Sequence, residues 1–250
     1  MRQLTVAATL AASTLAMATV LWNAAASGSA DPAFNLTSAE QRLQNLVLRT
    51  QRLQNEREIE NLQRIYSYYL DRALWDQVTD LFADDGTIEI GMRGVYVGKK
   101  RIRESLELFG PQYLTQGRLM DHANLQPVIT VGADGATAKG RVRALIMNGT
   151  YGKSGAIGDG IYENSYVKQG GVWKIQALKF YTRFGADYDK GWAVSAIGAP
   201  MPSGTIPPDR PPTVTYKNYP TYFVAPFHYP NPVTGKPVQY RPGTTVEVRP

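Results

Sequence analysis

The chain of 250 residues contains no cysteine and two histidines. The absence of cysteine excludes thiol nucleophiles, disulfide bonds and thiolate metal sites. His122 and His228 are more than a hundred residues apart, and neither has a second histidine or a carboxylate at ligand spacing. The sequence therefore predicts no metal site, and it contains no cofactor motif.

Long runs of one charge are also missing. The 27 basic residues exceed the 21 acidic ones and give a net charge of +6, but they are scattered along the chain. One short cluster, Lys99 to Arg103, lies at the start of a predicted helix. A solvated helix face is the usual explanation for such a run, so we expect no nucleic-acid partner.

One apolar run, residues 4–21, follows Arg2 and leads into small residues that include Ala26 and Ala30. This order is typical of a cleavable export signal, which we assign to residues 1–30. A retained membrane anchor is the alternative, since the run is near the length that spans a bilayer, but it is rich in alanine and threonine. We expect a periplasmic or secreted protein without a stable membrane anchor.

Residues 31–55 are interpreted as an N-terminal helical extension. Thr37 and Glu40 have the spacing of a capping box, and the following segment to about Asn55 carries leucines on one side among polar residues. Two interpretations remain open: a lead-in helix continuous with the next one, or a dimerisation arm. We expect a homodimer or homotrimer.

The segment from Glu58 to Ile90 predicts a helix, a second short helix and a strand. Apolar residues three and four apart form one helical stripe from Ile59 to Leu70, and the same spacing recurs from Trp75 to Phe82. Asp84, Asp85 and Gly86 then provide a turn before the alternating residues 87–90. The predicted order is therefore helix, helix, strand.

Alternation of polar and apolar residues predicts the remaining strands, and a third helix is expected near Ile102 to Phe109. Turns are predicted at Gly132 to Gly135 and at Gln169 to Gly171. The strands are expected near residues 87–90, 96–97, 121–131, 136–148, 158–168 and 172–184.

This order resembles the nuclear transport factor 2-like superfamily, in particular its SnoaL-like branch of polyketide cyclases, scytalone dehydratases and ketosteroid isomerases. The resemblance covers residues 56–188. It implies an α+β fold in which a cone-shaped, strongly bent antiparallel sheet is wrapped over about three helices, with the cone domain at residues 56–190. The residues that carry the resemblance are Tyr66, Leu70, Asp71, Trp75, Leu81 to Asp85, Gly160, Tyr162, Asn164, Tyr166 and Val172 to Ile175.

A bent sheet over helices encloses a cavity whose wall carries every second strand residue. If the polar strand faces point inward, His122 is the best candidate for proton transfer, because imidazole exchanges protons near neutral pH. The alternative for His122 is a structural role at the start of its strand. The full set of predicted catalytic residues is His122, Tyr66, Lys179, Tyr166 and Arg93. The predicted substrate-binding residues are Trp75, Phe82, Phe109, Asn164, Tyr162 and Tyr181, and Phe180 is a further candidate wall.

Two features of the resemblance concern chemistry. Tyr66 aligns with the helix tyrosine that donates a hydrogen bond to a developing oxyanion in ketosteroid isomerases, although core packing would also explain it. Where those isomerases carry their base carboxylate, this chain has Ile90, so steroid isomerisation is not expected. Three alternatives stay open for Arg93 near that position: it pairs with Glu89, it orients a substrate oxygen, or, as an exposed loop arginine, it does neither.

Proline is scarce before residue 200, and 13 of the 16 prolines lie between Pro200 and Pro250, interleaved with tyrosine and phenylalanine. Proline keeps such a segment extended while the rings give it surface to bury, so residues 191–250 are interpreted as a wrapping arm that covers the pocket of its own cone or of a neighbouring subunit. Residues 225–237 resemble the tails of sphingomonad proteins of this superfamily that act on lignin-derived aromatic dimers.

Together these features predict a cofactor-independent lyase that acts on a small aromatic, phenolic substrate. The resemblance implies diarylpropane lyases, which release formaldehyde to give a stilbene. A non-catalytic binding module for an apolar ligand, or a polyketide-type cyclase or dehydratase, is the alternative.

Overall fold

The first helix, α1, runs without interruption from Leu36 to Leu70 in the computed structural model, which describes residues 36–244 and 247–248, with side chains for 38–244. Its sequence contains no glycine or proline and is rich in strong helix formers such as leucine, glutamine, glutamate and arginine. From Leu36 onward, the predicted extension and the first cone helix are thus one helix. The predicted signal at residues 1–30 lies outside the described residues.

Chain contacts define one unit that ends at Leu43 and a second unit that spans Gln44–Pro250. In the first unit, the described residues are the opening turns of α1. The second unit contains the rest of α1 and every other described element. None of the described helices is both long and apolar enough to cross a bilayer.

Two shorter helices follow α1, which ends at a turn where Ala73 has a positive φ of 51°. Helix α2 spans Trp75–Asp80, and α3 spans Gly98–Leu106 before a 3₁₀ turn at Glu107–Phe109. The third helix thus begins four residues before its predicted start at Ile102.

Six strands form a curved sheet that does not close. Their order across the sheet is β2-β1-β6-β5-β4-β3. The strands are β1 Phe82–Ile90, β2 Val95–Val97, β3 Arg118–Val131, β4 Thr137–Thr150, β5 Ser154–Gln169 and β6 Val172–Asp187. A separate pair joins β7 Val214–Thr215 to β8 Glu247–Val248.

The α+β class and the bent sheet are confirmed, but one pairing differs from the expected all-antiparallel sheet. Strands β1 and β6 are parallel, with Glu89 beside Lys179 and Ile90 beside Phe180. Alternation along a strand indicates which residues share a face, and it contains no information on the direction of the neighbouring strand. A sheet in which distant segments meet can therefore include a parallel pair.

The hairpin turns have the chemistry that the sequence predicts. At the β5–β6 turn, Gly170 and Gly171 both have positive φ angles, of 59° and 81°, as a type I′ turn requires. At the β3–β4 turn, the Asp134 carboxylate accepts the backbone N–H groups of Ala136 and Thr137, each at 2.9 Å. These short connections fix the register of the long strands.

The sheet buries residues on both of its faces. On the concave face, the main core packs α1, α2 and α3 against the strands around Trp75, Phe82 and Ile175. On the outer face, residues from Ala199 to Ala225 form a second cluster with Ile161 and Tyr181. The proline-rich arm therefore lies on the outer face of its own chain's sheet.

Candidate functional site

A cavity of about 360 Å³ lies between the end of α1 and the concave face of the sheet. This volume is within the usual range for small-molecule sites, roughly 300–1,000 Å³. Its described lining contains no aspartate or glutamate. The polar and aromatic lining residues are Tyr66, Arg93, Phe109, Arg118, His122, Asn148, Tyr162, Phe180, Thr182 and Phe184.

His122 lines this cavity and is held by Asp71, which follows directly after α1. The backbone N–H of His122 donates to Oδ1 of Asp71 at 2.8 Å, and its ring Nδ1 lies 3.2 Å from the same oxygen. Because a carboxylate oxygen only accepts, this contact favours the tautomer with the proton on Nδ1. In that tautomer Nε2 is a proton acceptor.

Tyr66 and Tyr162 place two phenol groups in the same cavity. Their rings meet edge to face, with centroids 5.9 Å apart. Burial raises the pKa of Tyr66 well above its usual value, and the neighbouring hydroxyl of Tyr162 offsets this in part. Burial likewise raises the pKa of Tyr162. Both hydroxyl groups therefore stay protonated at neutral pH and can donate hydrogen bonds.

Two arginines reach the cavity near Phe109. The guanidinium carbon of Arg93 lies 4.6 Å from the centroid of the Phe109 ring. Arg118, which is exposed, donates a long hydrogen bond of 3.4 Å to the carbonyl of Phe109. Burial lowers the pKa of Arg93, as expected for a cation removed from water. Arg93 does not pair with Glu89, contrary to one of the two predicted roles.

The arm contributes the roof of the cavity through Ile197, Gly198 and Pro200. The Pro200 carbonyl accepts the backbone N–H of Met92 at 2.8 Å, which fixes the loop that carries Arg93. Gly91 packs closely against Pro200, since a Cβ at residue 91 would be 2.7 Å from Cδ of Pro200. None of the arm's described aromatic residues lines this cavity, and Tyr216 and Phe223 belong to the outer-face cluster instead.

Lys179 does not lie in the cavity, so its predicted place in the pocket is wrong. Its Nζ lies 3.3 Å from the Glu89 carboxylate and is bonded to the Thr213 hydroxyl. Thr213 belongs to the arm, and its backbone N–H also donates to Glu89 at 2.8 Å. The inward neighbour on the same strand is Phe180, so the apolar face of β6 lines the cavity.

Tyr166 and Asn164 are buried but do not line the cavity. The hydroxyl of Tyr166 and the side-chain amide of Asn164 both donate to Oε1 of Gln63 on α1, each at 2.9 Å. The Asn164 oxygen accepts the backbone N–H of Lys179 at 3.0 Å. This network joins α1 to the sheet, and its members have no contact with the cavity space, contrary to prediction.

Three of the predicted substrate-binding residues also lie elsewhere. Trp75 is fully buried behind Phe109 and donates from its ring nitrogen to the Gly110 carbonyl at 3.0 Å. Phe82 is fully buried in the main core. Tyr181 packs against Tyr216 of the arm on the outer face. The apolar surface of these three residues is buried by core packing. Sequence periodicity shows that a residue faces inward, but it does not distinguish a core residue from one that lines a cavity.

The cavity thus contains His122, Tyr66 and Arg93 from the predicted catalytic set, and Phe109 and Tyr162 from the predicted binding set. The sequence did not predict a role at this site for four further residues, Asp71, Arg118, Asn148 and Thr182. Alternation along β3 could have found Arg118, which shares a face with Met120 and His122. The partnership of Asp71 with His122 joins distant parts of the chain and has no local signal.

The second histidine, His228, lies outside the cavity lining. Its Nδ1 lies 2.9 Å from the Glu163 carboxylate and its Nε2 lies 3.1 Å from the Thr130 hydroxyl, both outside the cavity lining. No group of three metal-ligating side chains occurs in the part of the chain that the structure describes. The basic residues at the start of α3 are paired with carboxylates, for example Lys99 with Asp84 at 3.2 Å and Lys100 with Glu104 at 2.9 Å.

A curved, unclosed sheet packed over a few helices is typical of the NTF2-like class of folds. The family model described as the SnoaL-like domain matches residues 51–179, and the chain belongs to this family. Proteins of this family include dehydratases, isomerases and lyases, which often act without a cofactor. No curated protein sequence matches the chain.

Solved structures are similar in fold. A protein of Novosphingobium aromaticivorans, named provisionally as a scytalone dehydratase, shares 24% identity at a TM-score of 0.51, covering 62% of this chain and 97% of that one. An NTF2-like protein of the same organism with a cystatin-like fold shares 16% identity at a TM-score of 0.47, covering 56% and 89%. A hexachlorocyclohexane dehydrochlorinase shares 16% identity at a TM-score of 0.48, covering 55% and 91%.

Proposed function

We propose that the protein is a cofactor-independent lyase that eliminates water, with or without formaldehyde, from a small aromatic substrate. The observation that carries the proposal is that His122, oriented by Asp71, and Tyr66 line the same largely apolar cavity. A proton acceptor and a neutral proton donor at the same cavity are what an acid/base elimination needs.

In this reaction Nε2 of His122 takes a proton from the substrate. For simple dehydration the proton comes from carbon, its electron pair forms the C=C bond, and the C–O bond to the departing hydroxyl breaks. Tyr66 donates a proton to that hydroxyl, which leaves as water. The proton on His122 then returns to the Tyr66 oxygen, directly or through water, and both groups are restored.

For a diarylpropane diol the proton comes from the terminal hydroxyl. Its oxygen forms a C=O bond, the C–C bond breaks, and formaldehyde leaves. The released electron pair forms the C=C bond of the stilbene as the benzylic hydroxyl departs as water. The rings of Phe109, Tyr162 and Phe180 supply aromatic walls for such a substrate.

The cavity favours this function over a binding module. A site that only holds an apolar ligand needs no oriented imidazole, and a buried carboxylate is costly unless it is well paired. Here Asp71 is 9% exposed and bonds both the backbone and the ring of His122. An imidazole held in one orientation by a buried carboxylate is suited to exchanging protons with a ligand.

The test is turnover of a panel of phenolic dimers and hydroxylated monoaryl compounds, followed by ultraviolet absorbance. The wild-type protein is expected to form a conjugated alkene from at least one compound. His122→Ala is expected to lower that turnover by roughly a hundredfold or more. Tyr66→Phe keeps the ring and removes the donor, so it should lower turnover with little change in thermal midpoint. Tight binding of compounds that are never converted would favour the binding module instead.

A further inference from the structure

The cavity holds two guanidinium groups and no acid to balance them. Arg93 and Arg118 line it, and within the described residues neither has a carboxylate within salt-bridge distance, while no Asp or Glu is among the lining residues. Arginines on the outer face differ: Arg141 pairs with Glu163, and Arg183 pairs with Asp159. Two guanidinium groups without an acidic partner thus meet at this one cavity.

Leaving a partly buried cation such as Arg93 without a counter-charge costs free energy unless a ligand supplies the charge. The guanidinium carbon of Arg93 lies over the Phe109 ring, 4.6 Å from the ring centroid. Arg118 reaches the same residue through the Phe109 carbonyl. Both cations are thus held around Phe109, one on the ring and one beside the backbone.

The position of these cations relative to His122 follows from strand β3. Every second residue of a strand points to the same side, so Arg118, Met120 and His122 share one face of β3. A strand rises about 3.3 Å per residue, so the Cα atoms of Arg118 and His122 are roughly 13 Å apart. Asn148 lies across from Met120 in the sheet register and also lines the cavity. An aromatic ring fits along this wall between the cationic end and the imidazole.

We propose that Arg93 and Arg118 form a subsite for a carboxylate group on the aromatic substrate, which places the reacting carbon toward His122 and Tyr66. Guanidinium groups match the planar geometry and full negative charge of a carboxylate. A phenol matches guanidinium groups less well, since its pKa of about 10 leaves it neutral at pH 7. This inference rests on the proposed function for the identity of the reacting groups, but the binding subsite is testable without turnover.

The experiment is calorimetric titration at pH 7 with 4-hydroxycinnamate and its neutral amide, which share the ring and the phenol. The wild-type protein is expected to bind the acid at least tenfold tighter than the amide, and the preference should shrink at high salt. Arg93→Met and Arg118→Met should each reduce affinity for the acid while affinity for the amide changes little. Arg49→Met, on the exposed side of α1, removes the same charge away from the cavity and should preserve the preference.

Equal binding of acid and amide by the wild-type protein would overturn the subsite, whatever the variants do. Loss of preference in Arg49→Met as large as in Arg93→Met would also overturn it, because the effect would then be long-range. If Arg93→Met does not fold, the subsite is still tested by Arg118→Met and by the affinities of the wild-type protein for acid and amide. A retained preference for acids without turnover of any compound would reject the lyase but keep the subsite. Turnover of neutral phenolic dimers, without tighter binding of the acid than of the amide, would keep the lyase but reject the subsite.

Discussion

Asp71 and His122, which are 51 residues apart, are joined by two contacts to a single carboxylate oxygen. One contact holds the backbone of the strand and the other orients the imidazole. Asp71 does not line the cavity itself, so it acts as a positioning residue for His122. This division of roles can be tested by substitutions that separate the two contacts.

Asp71→Asn keeps an oxygen for the His122 backbone N–H but removes the negative charge beside the ring. We expect kcat to fall at least roughly tenfold, while KM and the thermal midpoint change little. Asp71→Ala should in addition cost about 1–3 kcal/mol of stability, because a buried N–H loses its acceptor. Steady-state kinetics and thermal unfolding on the same preparations check both, and unchanged kcat in Asp71→Asn would remove the positioning role.

Gly91→Ala should loosen the roof of the cavity. A Cβ at residue 91 would be 2.7 Å from Cδ of Pro200, and the φ angle of 62° adds strain. We expect a loss of about 2 kcal/mol or more, together with lower turnover. Gly235→Ala is the matched control, because its φ is 68° and nothing lies within 4 Å of the added atom. Equal losses in the two variants would show that backbone strain alone accounts for the effect.

Lys179→Met tests the position of this lysine outside the site. The substitution leaves the Glu89 carboxylate, 4% exposed, without its cation. We expect a loss of about 2 kcal/mol or more in the free energy of unfolding, with near-normal turnover per folded molecule. Lys139→Met, at an exposed position, serves as control, and Glu89→Gln in the same chain should recover part of the loss. A large drop in turnover at an unchanged midpoint would return Lys179 to the active site.

Alkaline pH should destabilise the protein through its buried tyrosines. Burial raises the pKa of Tyr216 to about 12, while in the unfolded chain it is about 10. A raised folded-state pKa contributes stability that is complete below pH of about 10 and is lost as pH rises through about 12. For Tyr216 the loss is about 3 kcal/mol at most, since one unit corresponds to about 1.4 kcal/mol. Urea unfolding from pH 9 to 12 should show a shallower decline in Tyr216→Phe, and parallel curves would contradict the assignment.

Export of the protein stays a prediction from residues 1–30. Mass spectrometry of native protein is expected to find an amino terminus near Ser27 or Asp31, after the small residues that end the apolar run. An intact Met1 in a cytosolic fraction would contradict it.

Local sequence patterns predict much of this fold. The helical stripe in α1, the Gly170–Gly171 turn and the alternation along β3 depend on neighbours in the chain, so each is visible in the sequence. The same alternation places His122 and Arg118 on one face. The family resemblance rests on these local features and is confirmed by the SnoaL-like match to residues 51–179.

The tertiary structure decided which strand faces line the cavity and which residues meet there. On β6 the polar residue Lys179 lies outside and Phe180 inside, because the arm covers the outer face and buries Glu89 with it. A polar side chain normally marks either solvent or a functional cavity, and a second buried layer removes that distinction. The pairing of Asp71 with His122 likewise depends on where the end of α1 meets β3. Such contacts between distant segments leave no trace in local periodicity, because they are selected by packing of the whole domain.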